Sequence, residues 1–204
     1  MKQDADRTTE PQQRRSRRTR AELLAAVERV VAAEGTDAVT TTRIATETGV
    51  AVGTIYRYFA DREALLLAAY DETVVRILAA CNEALGSFDA RFAPAEAASR
   101  LLHHYLDAAE AIPAHAGLLR AMRTIRPVAA EIAVHEEEIE RDILAPFLAR
   151  FLPEADLPPM SIAMVNATVG TLVDLYLVSE SQTERDWLRG EIEAYLAFVV
   201  ARLI

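Results

Sequence analysis

Cysteine occurs once in the 204 residues, at Cys81. A lone cysteine closes no intramolecular disulfide, and without a Cys-x-x-Cys pair there is no zinc-ribbon spacing, so nothing indicates a secreted or zinc-stapled scaffold. Glycine (7) and proline (8) are scarce and aromatics reach 6%. No stretch alternates apolar and polar residues over a useful strand length, which argues against a β-sandwich. The N-terminus lacks the apolar core of a signal peptide, so export is not indicated. The longest apolar run, 162 to 179, is interrupted by Asn166, Thr168, Thr171 and Asp174. It is a poor membrane span and a good buried helix, and the expected location is the cytoplasm.

What is present is apolar and helix-forming. Hydrophobic residues make up 51% of the chain and charged ones 26%, enough for a sizeable core and too ordered a composition for a disordered chain. The net charge of −9 argues by itself against a polyanionic partner, but the charge is unevenly placed. Residues 1 to 70 carry 11 basic and 10 acidic side chains, whereas residues 71 to 204 carry 11 basic and 21 acidic. Within the first part Arg14, Arg15, Arg17, Arg18 and Arg20 fall in seven residues with no acid among them. Such a cluster serves equally as a solvated tail or as a row of phosphate contacts.

Helical spacing begins at Arg20. Leu23, Leu24, Val27, Val30 and Val31 share one face, and Gly35 ends the helix. A short second helix is expected over 41 to 48, with Ile44 and Ala45 inward and Gly49 supplying a positive φ. A third is expected over 52 to 59. Asp61 then caps a long fourth helix whose inward stripe is Leu65, Ala69, Val74, Leu78, Cys81 and Leu85. Apolar periodicity continues over 94 to 112, 113 to 125, 127 to 152, 158 to 179 and 183 to 204, with Pro94, Pro127 and Pro158 suited to helix starts. The expected fold is all-α: a flexible arginine-rich arm (1–19), a small three-helix N-terminal unit (20–65) and a larger C-terminal helical bundle (66–204).

The informative segment runs from Thr40 to Phe59, TTTRIATETGVAVGTIYRYF. It joins a short helix, a glycine turn and a second helix in which Ile44, Val50 and Ile55 are spaced to set a fixed angle, leaving Thr54, Tyr56 and Arg57 to project outward. Residues 20 to 70 resemble the DNA-binding domain of tetracycline-repressor-type (TetR family) transcriptional regulators. The resemblance rests on Thr41-Thr42, Ile44-Ala45, Gly49-Val50, Gly53-Thr54-Ile55-Tyr56, Tyr58-Phe59 and Arg62-Glu63-Ala64-Leu65. It implies that Thr42, Val52, Gly53, Thr54 and Tyr56 face base edges, while Thr41, Arg57, Tyr58 and Arg62 hold phosphates. Two positions depart from the family pattern: Ala51 stands where Ser is frequent, removing a side-chain N-cap, and Thr48 replaces Ala, adding a hydroxyl that needs a partner.

Beyond Gly86 no motif can be placed. Two apolar stripes, Val165, Val169, Leu172 and Tyr176 on the penultimate helix and Leu188, Ile192, Tyr195, Leu196 and Val199 on the last, are candidates for a dimer face, because reading two half-sites requires a twofold partner. Asn166, Gly170 and Asp174 recur every fourth residue and could wall a pocket or a subunit contact. Cys81, Phe88, His103 and Met122 are further candidates for contact with a small-molecule effector. Adjacent His103 and His104 diverge by about 100° on a helix, so they do not form a metal pair. Neither a Glu-x-x-His pair nor a nucleophile elbow occurs, and no metal, cofactor or catalytic residue is expected. The combined reading is a ligand-responsive, homodimeric repressor of a palindromic operator. The alternative is an all-α enzyme or cofactor-binding bundle with an N-terminal interaction module.

Overall fold

Leu23, Leu24, Ala26, Val27, Val30 and Val31 are all buried on one side of the first helix, α1 (Asp4–Glu34). The computed structural model describes residues 4–126, 135, 137–155 and 158–203, and among these every regular element is helical. Residues 4–19, read from sequence as a flexible arm, continue α1 without a break. Gln and Arg are good helix formers, and Arg14, Arg15, Arg17, Arg18 and Arg20 all stay exposed, so the arginine cluster does not oppose the helix.

After Gly35, at φ +83°, a 3-10 turn (Thr36–Ala38) leads into α2 (Thr41–Thr48). The Thr40 side chain caps α2 by accepting from the Arg43 N–H at 3.0 Å, and Gly49 ends it in the left-handed conformation, φ +70°, where a Cβ would be strained. The third helix, α3 (Val52–Tyr56), is shorter than its periodicity predicts. Backbone bonds from Arg57 to Thr54 and from Tyr58 to Ile55 tighten its end into a turn, so Arg57, Tyr58 and Phe59 lie beyond the helix. Asp61 caps α4 (Arg62–Ser87) by accepting from the Ala64 N–H at 2.7 Å.

The bundle continues with α5 (Pro94–Glu110) and α6 (His115–Ile125). The expected helix from Pro127 has its start outside the described residues. Its later part is a π-turn (Glu140–Leu144) followed by α7 (Ala145–Phe151). Pro146 has no N–H to offer the Asp142 carbonyl four residues back, and that oxygen instead accepts from Asn82 Nδ2 of α4 at 2.6 Å. An outside donor thus holds the widened turn against α4. The chain ends in α8 (Pro159–Val178) and α9 (Gln182–Ala201), the latter capped by Ser181.

One large core runs from Leu23 of α1 to Ile192 of α9, with α4 as its axis. A second, smaller cluster at the far end of α4 holds Leu85, Phe88, Phe147 and Phe151. There Arg150 donates to the carbonyls of Leu85, Gly86 and Phe88 and satisfies the C-terminal end of α4. Residues 160 to 178 of α8, with mean hydropathy 1.5, are long and apolar enough to span a membrane by composition. In the fold this helix packs against α9, α6 and α5.

Candidate nucleic-acid interface and effector chamber

The angle between α2 and α3 is set from inside. Ile44 and Ile55 are both fully buried, Phe59 seals the end of the turn, and Val50 packs against the same core. This burial leaves an outer face carrying Thr42, Gly53, Tyr56 and Arg57, all exposed, with Thr41, Val52 and Thr54 half-buried beside them. Tyr56 is 54% exposed, a large aromatic held in water on a five-residue helix. A Cβ built on Gly53 would meet nothing within 4 Å. The protein's own packing therefore does not require glycine there, and any demand for it comes from what approaches that face.

Ala51 offers no side-chain cap to α3, matching the departure noted in the sequence. The Thr48 hydroxyl finds a partner in the Ile44 carbonyl at 2.7 Å, so its extra polar group costs little. Tyr58 is half-buried against the core. Arg62 is not placed as the sequence resemblance implied. Its Nε and Nη2 donate to the carbonyls of Val39 and Thr36, each at 2.7 Å, so the side chain ties the first turn of α4 to the 3-10 turn rather than reaching outward for phosphate. Neighbouring charges are similarly engaged: Arg43 pairs with Glu34 at 2.6 Å, and Arg76 of α4 pairs with Glu28 of α1 at 2.6 Å.

The sequence profile of bacterial regulatory proteins of the tetR family matches residues 23–69, from the buried face of α1 through the first turns of α4. Residues 23–69 carry the signature of that family. Likenesses among solved structures extend over the whole bundle. The regulator RolR in complex with resorcinol superposes with a TM-score of 0.64 at 17% identity, covering 93% of this chain and 96% of that one. The TetR family repressor AlkX from Dietzia sp. strain DQ12-45-1b gives 0.61 at 15% identity, covering 90% and 96%. A TetR transcriptional regulator from Rhodococcus sp. RHA1 gives 0.60 at 16% identity, covering 90% and 96%. At these identities the likeness establishes a shared fold. No curated protein matches the chain in sequence.

The bundle holds a half-open chamber of about 630 Å³ between α4, α5, the π-turn with α7, α8 and α9. Its walls are mainly aliphatic and aromatic: Leu78, Leu102, Ile143, Phe147 and Val165 are typical. A smaller polar annex of about 120 Å³ adjoins it, sharing Tyr105, Ile139, Asn166 and Gly170 as common wall. The sequence candidates separate on this geometry. Cys81 lines the chamber, where burial pushes its thiol up to about 12 and keeps it neutral. Asn166 lines both spaces, and Met122 and Asp174 line the annex. Two candidates are corrected. Phe88 is buried in the small end cluster, and His103 hydrogen-bonds Glu193 at 2.6 Å, so neither reaches the chamber.

Three residues named for the dimer face are corrected as well. Leu188 and Ile192 are buried in the subunit's own core, and Tyr176 is buried with its hydroxyl on Glu110 and Arg189. Leu172 packs on that core from its edge, while Val165, Val169, Tyr195, Leu196 and Val199 line the chamber. Leu188, Ile192 and Tyr176 face inward because the helices meet their own subunit there, and the other six are half-buried. The large apolar side chains most exposed on α8 and α9 are Met160, Met164, Leu175, Trp187 and Phe198, between 42% and 77% exposed, and of these Met164 and Phe198 also line the chamber. Their spacing places 160, 164 and 175 on one side of α8, and 187 and 198 on one side of α9. The sequence reading missed this face because α8 is apolar on nearly every side, so periodicity could not separate inner from outer residues.

Proposed function

We propose that this protein is a homodimeric, ligand-responsive repressor that occupies a two-part operator and leaves it when a small molecule fills the bundle. The observation that carries the reading is the course of α4. Its first turn is clamped by Arg62 to the domain that bears Tyr56, and its middle, at Leu78 and Cys81, walls the chamber. One rod thus joins the exposed aromatic face to the cavity.

In this reading residues 20–65 form the DNA-binding domain and residues 66–204 the effector and dimer domain. Thr42, Val52, Gly53, Thr54 and Tyr56 meet base edges, and Thr41, Arg57 and Tyr58 meet phosphate. Two copies join through the outer stripe of Met160, Met164, Leu175, Trp187 and Phe198, since exposed apolar area of this kind marks an association face. Ligand must bind the released arrangement more tightly than the DNA-bound one. A tilt of α4 changes the separation of the two reading helices, and DNA, whose half-sites lie about 34 Å apart per turn, cannot follow it. The protein acts in the cytoplasm and performs no catalysis.

The test is selection of duplexes from a random library, followed by fluorescence anisotropy on the selected DNA. A two-part, inverted-repeat consensus bound with strong salt dependence supports the reading. Failure to enrich any duplex, or enrichment of a single asymmetric half-site by a monomer, overturns it.

A further inference from the structure

The chamber and its annex differ sharply in charge. No carboxylate lines the chamber among the described residues, and its one charged lining residue, Arg202, is exposed and packed over Phe198, with 5.6 Å from guanidinium to ring centre. An organic cation buried there would have no counter-charge, and burying an unpaired ion is costly. Among the described residues the annex is lined by Arg123, Arg126 and His135 and by one carboxylate, Asp174. Asp174 takes Nε and Nη2 of Arg123 at 3.2 and 2.9 Å. Arg126 faces Asp71 in a two-point pair at 2.9 and 3.0 Å, and Asp71 is outside the annex wall. His135 lies 3.5 Å from Asp71 and 3.0 Å from Glu138.

Gly170 lies on the wall common to the two spaces, and an added Cβ there would meet nothing within 4 Å. Asn166, beside it, offers both a donor and an acceptor at the boundary. An apolar body in the chamber would therefore end beside the hydrogen-bond donors of Asn166 and Arg123.

From this juxtaposition we infer that the chamber takes an amphipathic monocarboxylate, its hydrocarbon body among Leu78, Leu102, Ile143 and Phe147 and its carboxylate in the annex at Arg123. A guanidinium has five N–H donors, so Arg123 can hold Asp174 through Nε and Nη2 and present Nη1 to the incoming head. Asp174 is then a competitor for the same cation, and its removal strengthens binding instead of weakening it. The volume of about 630 Å³ lies in the range of sites that enclose whole small molecules. This inference rests on the proposed role of the bundle as the effector domain.

The experiment is calorimetric titration of the DNA-free full-length protein with three twelve-carbon probes: dodecanoate, dodecan-1-ol and dodecyltrimethylammonium. Dodecanoate is expected to bind roughly tenfold or more tightly than the alcohol, as charge-assisted hydrogen bonds exceed neutral ones, and the cation is expected not to bind. Arg123→Gln should bring dodecanoate down to the level of the alcohol without changing the alcohol itself. Asp174→Asn should tighten dodecanoate several-fold, a gain that a merely disrupted fold would not produce. Arg202→Gln should leave all three unchanged. Equal binding of acid and alcohol, binding of the cation, or loss of dodecanoate binding in Arg202→Gln alone would overturn the inference. Dodecanoate binding with this pattern but without release of DNA would leave the ligand class standing and count against the repressor reading. Release by a cationic compound, with no dodecanoate binding, would do the reverse.

Discussion

Replacing Arg62 with alanine distinguishes a clamp from a phosphate contact, two roles with opposite signatures. In the folded chain Arg62 makes two hydrogen bonds of 2.7 Å to the Val39 and Thr36 carbonyls. Bonds with one charged partner contribute about 1.5 to 3 kcal/mol each when shielded. The Arg62 side chain is 40% exposed, so solvent competition reduces the pair to about 1 to 3 kcal/mol in total. Asp37, at 3.9 Å and fully exposed, adds nothing measurable. For a chain of this size each kcal/mol corresponds to about 2 to 4 °C in Tm, so Arg62→Ala is expected to melt several degrees lower by calorimetry without DNA. Arg62→Lys should recover little, because an ammonium does not reproduce the fork that spans two carbonyls. DNA affinity should fall through a loosened α4 start, while the slope of log affinity against log salt stays that of wild type. An unchanged Tm together with a salt slope reduced by about one would show that the side chain holds phosphate and that the clamp argument is wrong.

Three further outcomes are expected. Tyr56→Ala, at an exposed position, should leave Tm within about 0.5 kcal/mol of wild type and change the preferred base pairs in a selection experiment; an unchanged consensus would remove Tyr56 from the readers. His115 is buried, its Nδ1 lies 2.7 Å from the Thr73 hydroxyl, and that hydroxyl donates to the Tyr70 carbonyl, so Nδ1 is the protonated nitrogen of a neutral ring. Burial, aided by the charge of Arg76, lowers its pKa to about 4. The unfolded chain then takes the proton first: stability is full above about pH 6.5 and declines by about 3 kcal/mol as pH falls towards 4. Urea titrations across that range should show the decline, and His115→Gln should flatten it; a parallel curve for the variant would refute the assignment. The double variant Trp187→Glu with Phe198→Glu should sediment as a monomer and lose operator binding while keeping its helical content. A variant that remained dimeric would place the interface elsewhere.

The DNA-binding half was readable from sequence because its determinants are local. The Thr40 cap, Gly49 turn, Asp61 cap and the spacing of Ile44, Val50 and Ile55 each act within a few residues, and a short helix-turn-helix has little room to rearrange around them. Even there, side-chain partners across the domain were hidden. Arg62 meets carbonyls more than twenty residues away, and no spacing rule reports such a bond. The early end of α3 was missed for a related reason, since apolar periodicity continues through Tyr58 and Phe59 after the backbone has tightened into a turn.

In the bundle, composition and period were enough for the count and approximate bounds of most helices, because burying a hydrophobic stripe is what makes each one form. Which stripe meets which neighbour depends on the angles at which five or six helices pack, and α8, apolar almost all round, carries no local mark of its inner side. Tertiary packing alone therefore turned Ile192 and Tyr176 inward, left Trp187 and Phe198 outside, and brought Asn166 and Gly170 of α8 to the boundary between an apolar chamber and an annex holding Arg123.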